Sequence, residues 1–136
     1  MNNIKLFESF NEFNEESLKK DIDGILVELE DIGFTCKTTI YKTMGRDTIN
    51  VIFYKLEDRF SDSKNLIEFN TKDISEQLLV LIDYIKYKLG EDIYIEYKYW
   101  NLYTNNYQPI SINDYKNTCY FKIIFCEERV TGSSKW

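Results

Sequence analysis

Residues 14–54 read NEESLKKDIDGILVELEDIGFTCKTTIYKTMGRDTINVIFY, and the change of period inside this stretch decides the fold. Leu18, Ile22, Ile25, Leu26 and Leu29 recur at the spacing that lines one face of a helix. Asn14 stands where an N-cap is needed, and Glu15 and Glu16 set carboxylates against the positive end of the helix dipole. Gly33 follows the last turn, the place for a left-handed C-terminal residue. Beyond it the period drops to two. Phe34, Cys36, Thr38 and Ile40 alternate with Thr35, Lys37, Thr39 and Tyr41; after a turn at 44–47, Ile49, Val51 and Phe53 alternate with Asn50, Ile52 and Tyr54. A helix followed by two half-buried antiparallel strands accounts for this pattern.

The same order returns over 71–128. Ile74, Leu78, Leu81, Ile82 and Ile85 repeat the helical stripe, Thr71 or Asp73 caps its start, and Gly90 closes it. Ile93, Ile95 and Tyr97 then alternate with Tyr94, Glu96 and Lys98, and a long connection at 101–117 leads to a last strand with Cys119, Phe121, Ile123 and Phe125 on one face. The chain is thus an internal αββαββ repeat, units 14–57 and 71–128, within a single α+β domain over 14–129. Two helices are expected to cover one face of a four-stranded antiparallel sheet, a circularly permuted ferredoxin-like arrangement. The apolar strands at 49–54 and 118–126 belong in the centre. Those at 35–42 and 92–101, which carry Lys37, Lys42, Asp92, Glu96 and Lys98, belong at the edges, where charge discourages aggregation. Outside the repeat, 60–70 tucks Leu66, Ile67 and Phe69 onto the helix layer. Residues 1–13 form an amphipathic segment, and 130–136 a flexible tail ending in Trp136.

A chain of 136 residues, 43% of them hydrophobic, builds one core without disulfides or metal. No apolar run approaches the roughly 18 residues of a membrane helix, and the N-terminus lacks the apolar centre of a signal peptide. The expected location is the cytoplasm of a bacterial host, or a virion assembled there. Cys36, Cys119 and Cys126 have no paired spacing and histidine is absent, so neither a zinc site nor a histidine-activated nucleophile can be assembled. The thiols read as buried and inert in a reducing compartment. Glu127 and Glu128 are adjacent in a strand and point to opposite faces, and the five glycines make no phosphate-binding loop. The reading is therefore not an enzyme: no catalytic residues, no metal and no cofactor.

Two surfaces remain as candidate sites. The sheet face turned away from the helices displays Tyr41, Tyr54, Tyr94, Lys98, Trp100, Tyr120 and Lys122, with Asn50, Ile52 and Ile124 between them. Aromatic rings mixed with lysines suit a protein partner or a second copy. They also suit single-stranded nucleic acid, although the net charge of −6 disfavours it. The second surface is the acidic face of the first helix, Asp21, Asp23, Glu28 and Glu30, which suits a basic site on another protein.

Asn3-Ile4-Lys5-Leu6-Phe7-Glu8-Ser9-Phe10-Asn11-Glu12 resembles the opening of many small accessory proteins of large tailed bacteriophages, in which a Lys-x-Phe-x-x-Phe pattern is followed by glutamate. In T4-like phages similar leaders direct internal proteins into the prohead and are cut after a glutamate. The lack of alanine and the excess of Asn, Ile, Lys and Tyr, typical of AT-rich coding, fit the same origin. The resemblance implies a non-catalytic accessory protein that acts by protein–protein contact, as a virion component or as an inhibitor of a host or defence factor. A single-strand-binding module and a small acidic bacterial immunity protein are the alternatives.

Overall fold

The computed structural model describes residues 15–56, 65–101 and 103–127. The expected N-terminal segment 1–13, the Asn14 cap and the tail with Trp136 lie outside them, as does part of the 60–70 connection. Helix α1 (Glu15–Asp31) runs into strands β1 (Phe34–Thr43) and β2 (Arg46–Leu56). Two short strands follow, β3 (Leu66–Ile67) and β4 (Phe69–Asn70), then a 3-10 turn (Thr71–Ile74) and helix α2 (Ser75–Leu89). Strands β5 (Tyr94–Asn101), β6 (Asn106–Pro109), β7 (Asn117–Thr118) and β8 (Phe121–Cys126) complete the chain.

The main sheet is antiparallel with order β1-β2-β8-β5-β6, and β3 pairs with β2 beyond the end of β8. Strands β4 and β7 form a separate two-stranded ladder. The sheet therefore has six strands rather than the four expected. The strand expected at the 92–101 edge is covered over 98–101 by β6, and Asp92 precedes it. The physical reason lies in Asn101. Its side-chain oxygen accepts hydrogen bonds from the backbone N–H groups of Tyr103 (2.8 Å) and Thr104 (3.2 Å), and Asn105 adopts a positive φ of 59°. The stretch read as a long connection turns back as a hairpin.

The strand expected over 118–126 is also divided. Thr118 is fully buried, and its hydroxyl oxygen accepts from the N–H groups of Trp100 and Tyr120, both at 3.2 Å. It lies 2.8 Å from the carbonyls of both residues, to either of which it can donate. That knot interrupts the ladder, so Cys119 falls in a bend and not on the core-facing side of a strand. The start of the second unit differs as well. Asn70, not Thr71 or Asp73, caps the 3-10 turn by accepting from Lys72 N–H at 2.9 Å. Thr71 is buried and exchanges hydrogen bonds with the Lys116 backbone, and Phe69 packs edge-on against Phe34 while Ile67 stays exposed.

The core is one cluster on one side of the sheet. Ile49 faces Phe125, Val51 faces Ile123, and Phe53 faces Phe121 across the β2–β8 pair. Onto these rings and branches α1 lays Leu18, Ile22, Leu26 and Leu29, and α2 lays Leu78, Leu81, Ile82 and Ile85. The helices clasp each other through two polar contacts, Tyr84 hydroxyl to Asp21 (2.6 Å) and Gln77 to Glu28 (2.9 Å). In the β1–β2 hairpin Met44 and Gly45 both take positive φ, 53° and 79°, the two-residue turn that matches strand twist.

Gly24 sits in mid-helix, where an added methyl group would meet nothing within 4 Å. Gly24→Ala is expected to stabilise the fold by about 1 kcal/mol through helix propensity alone. A raised urea midpoint with unchanged slope would register it, and no change would mean that α1 is frayed there.

Candidate functional site

The second side of the sheet carries no layer among the described residues. The alternation of β2 and β8 places Asn50, Ile52 and Tyr54 beside Ile124, Lys122 and Tyr120, while β5 contributes Glu96, Lys98 and Trp100 and β6 contributes Tyr107 and Pro109. At one end of this face four rings gather. Tyr54 and Tyr120 lie 5.3 Å apart at 57°, and Trp100 and Tyr107 lie 5.1 Å apart at 86°. Lys122 holds its ammonium 4.0 Å from the centre of the Tyr107 ring and pairs in register with Lys98.

The electrostatics of this corner are distinct from those of the whole chain. Among the described strand positions of this face, the lysines Lys37, Lys98 and Lys122 stand against one acid, Glu96. Burial pushes the Lys122 ammonium below the usual lysine range, Lys98 pushes it further, and Glu96 opposes both. Burial, with a smaller contribution from Tyr120, raises the Tyr107 hydroxyl. A half-buried ammonium on a ring, with a second lysine alongside, is a site that gains from an anionic or acceptor-rich group docking over it.

Of the seven sheet-face residues expected from alternation, five come together here: Tyr54, Lys98, Trp100, Tyr120 and Lys122. Tyr41 and Tyr94 share the face but sit beside Thr48 and Cys126 at its other end, six residues along the strands and so about 20 Å away. They are 40% and 55% exposed, and Tyr94 donates a hydrogen bond to Glu96 at 3.3 Å. Tyr107 lies within 101–117, expected to be a connection, and stands instead on β6. The Asn-rich turn before it, followed by alternating Tyr107 and Pro109, is the signal that marks it.

The acidic helix face is divided in two. Asp21 and Glu28, seven residues apart, turn toward α2 and accept the hydrogen bonds from Tyr84 and Gln77. Asp23 and Glu30, also seven apart, flank β1 and act on Cys36. That thiol is pushed up to about 12, first by burial and then by Glu30 and Asp23, and so remains protonated and unreactive. All three cysteines are half-buried, less enclosed than their apolar contexts implied.

A depression of about 370 Å³ opens beside the β4–β7 ladder, lined by Glu68, Tyr99, Asn101, Tyr103, Lys116 and Asn117. Among the described residues no three metal-ligating side chains converge, and no helix is long and apolar enough to cross a membrane. Comparison with protein families, curated proteins and solved structures returns no match.

Proposed function

We propose that this protein is a non-catalytic accessory protein of a large tailed bacteriophage that acts by protein–protein contact, with the open sheet face as its contact surface. It works in the bacterial host cytoplasm or in the virion, on a structural partner or on a host or defence factor. The observation that carries the reading is the corner of Tyr54, Tyr120, Trp100 and Tyr107 around Lys122. It combines large apolar area with polar tips on rigid strands, the composition of interface centres. The phage-like opening at residues 3–12 supports the setting. For the scaffold we propose a circularly permuted ferredoxin-like frame, supported by the β1-β2-β8-β5 order, with β3 and β6 as additions.

Trp100→Ala is expected to weaken partner capture from infected-cell lysate by about 2 kcal/mol, roughly thirtyfold, because central aromatic side chains dominate such contacts. Circular dichroism would verify that the variant is folded. Equal capture by wild type and variant would remove the face from the proposal. A second reading, single-stranded nucleic acid, is favoured by the lysine excess on this face against an acidic whole. It requires salt-dependent binding of an oligonucleotide that Lys98→Ala and Lys122→Ala weaken; no binding in low salt ends it.

A further inference from the structure

The surface just described is a face, whereas the sheet also ends in an edge of different character. Strand β1 pairs with β2 over ten consecutive residues without a bulge, and among the described residues no strand covers its outer side. The opposite margin of the sheet is shortened by β6 and carries Pro109. Strand β1 contains neither proline, glycine nor any acid, and its only charges are Lys37 and Lys42. Thr43 and Arg46 close a two-residue hairpin, so they exchange hydrogen bonds, and the pattern alternates from there. The backbone groups of Thr39 and Tyr41 therefore serve β2, while those of Cys36, Thr38, Ile40 and Lys42 point outward. Among the described residues no strand meets these outward groups, and such a regular edge is a template for another strand.

We infer that the occupant is a second copy of this chain, joined by antiparallel β1–β1 pairing about a twofold axis at Thr39. Charge selects this register. With Thr39 opposite Thr39 of the second copy, Lys42 of each copy comes opposite Cys36 of the other, where Glu30 and Asp23 already act on the thiol. On the open face Lys37 comes opposite Tyr41, a cation beside a ring, twice by symmetry. Sliding the axis to Thr38 keeps the backbone pairing but brings Lys42 opposite Phe34, whose ring already carries the ammonium of Lys55 at 5.0 Å. That register sets two cations together, and the Thr39 register sets cations against carboxylates. Lys42 is 70% exposed, whereas its partner Asp47 (3.1 Å) is 14% exposed, so the flexible lysine end of this pair is the one that can reach the second copy. The resulting sheet is continuous through both copies, and their open faces become one.

Sedimentation of the full chain over a range of concentrations, combined with cross-linking, tests this. The wild type is expected to dimerise reversibly, with Lys42→Glu weakening the dimer by about tenfold and added Glu30→Lys restoring it. Thr39 meets its symmetry mate in a non-hydrogen-bonded pair, with Cα atoms about 4.5 Å apart, within disulfide reach. Mild oxidation of Thr39→Cys should yield a peptide joining position 39 of two copies by mass spectrometry, and Lys37→Cys should yield no such 37–37 link. A chain that remains monomeric up to about 1 mM overturns the inference. So does a dimer that is indifferent to Lys42→Glu, or one that links through position 37 instead of 39.

Discussion

Phe121→Ala is expected to lower the free energy of unfolding by about 3–5 kcal/mol, the loss typical of deleting a buried ring. Phe121 is 2% exposed and opens β8, the strand held between β2 and β5. It faces Phe53 on one side and Tyr99 on the other, and its ring lies 6.0 Å from that of Phe53. Paired strands on both flanks prevent the backbone from collapsing into the space that the ring would leave. The loss therefore includes the cavity as well as the transfer of apolar surface. Urea unfolding of wild type and variant measures it, with Phe121→Leu as a control that should retain most of the stability. A difference below about 1 kcal/mol would place the centre of the core elsewhere.

Thr118→Val is expected to cost about 2–3 kcal/mol although it preserves the shape of the side chain. The Thr118 hydroxyl ties β7 to β5 and to the residue just before β8: it takes N–H bonds from Trp100 and Tyr120 and returns its proton to one of their carbonyls. Trp100 N–H keeps a second acceptor in the Tyr120 carbonyl at 2.9 Å, so the residue most exposed to the loss is Tyr120. Both residues belong to the aromatic corner. Thr118→Val should therefore weaken partner capture as well as stability, whereas Phe121→Ala under conditions where it remains folded should affect capture less. Thr118→Ser, which keeps the hydroxyl, is the discriminating control. If valine and serine variants behave alike, the hydroxyl does not hold the corner.

What the chain reveals by inspection follows from where single-residue periodicity acts alone. The helical stripes of Leu18 to Leu29 and Ile74 to Ile85 point at a core because nothing competes with the 3.6-residue period, and the same residues are buried except Ile25, which is half-buried at the margin of the cluster. The alternation of Ile49, Val51 and Phe53 against Asn50, Ile52 and Tyr54 likewise separates the two faces of β2. Legibility ends where side chains bond to backbone. The β6 hairpin depends on Asn101 and on the positive φ of Asn105, and the break before β8 depends on Thr118. Neither changes the hydrophobic pattern, so the Asn-rich turn, and not the periodicity, is what marks the strand that brings Tyr107 to the aromatic corner. Burial by pairing is equally silent: the acids of α1 look like one surface on a helical wheel, yet Asp21 and Glu28 bond across to α2.

The central claim, that the open sheet face is the contact surface, is tested most directly by oxidative footprinting of aromatic side chains in the free and partner-bound protein. Tyr54, Tyr107, Tyr120 and Trp100 should lose labelling on binding. Tyr87 and Tyr103, 82% and 99% exposed and outside that corner, should label equally in both states. Protection at Tyr87 with full labelling of Trp100 would contradict the account and move the contact to the helices.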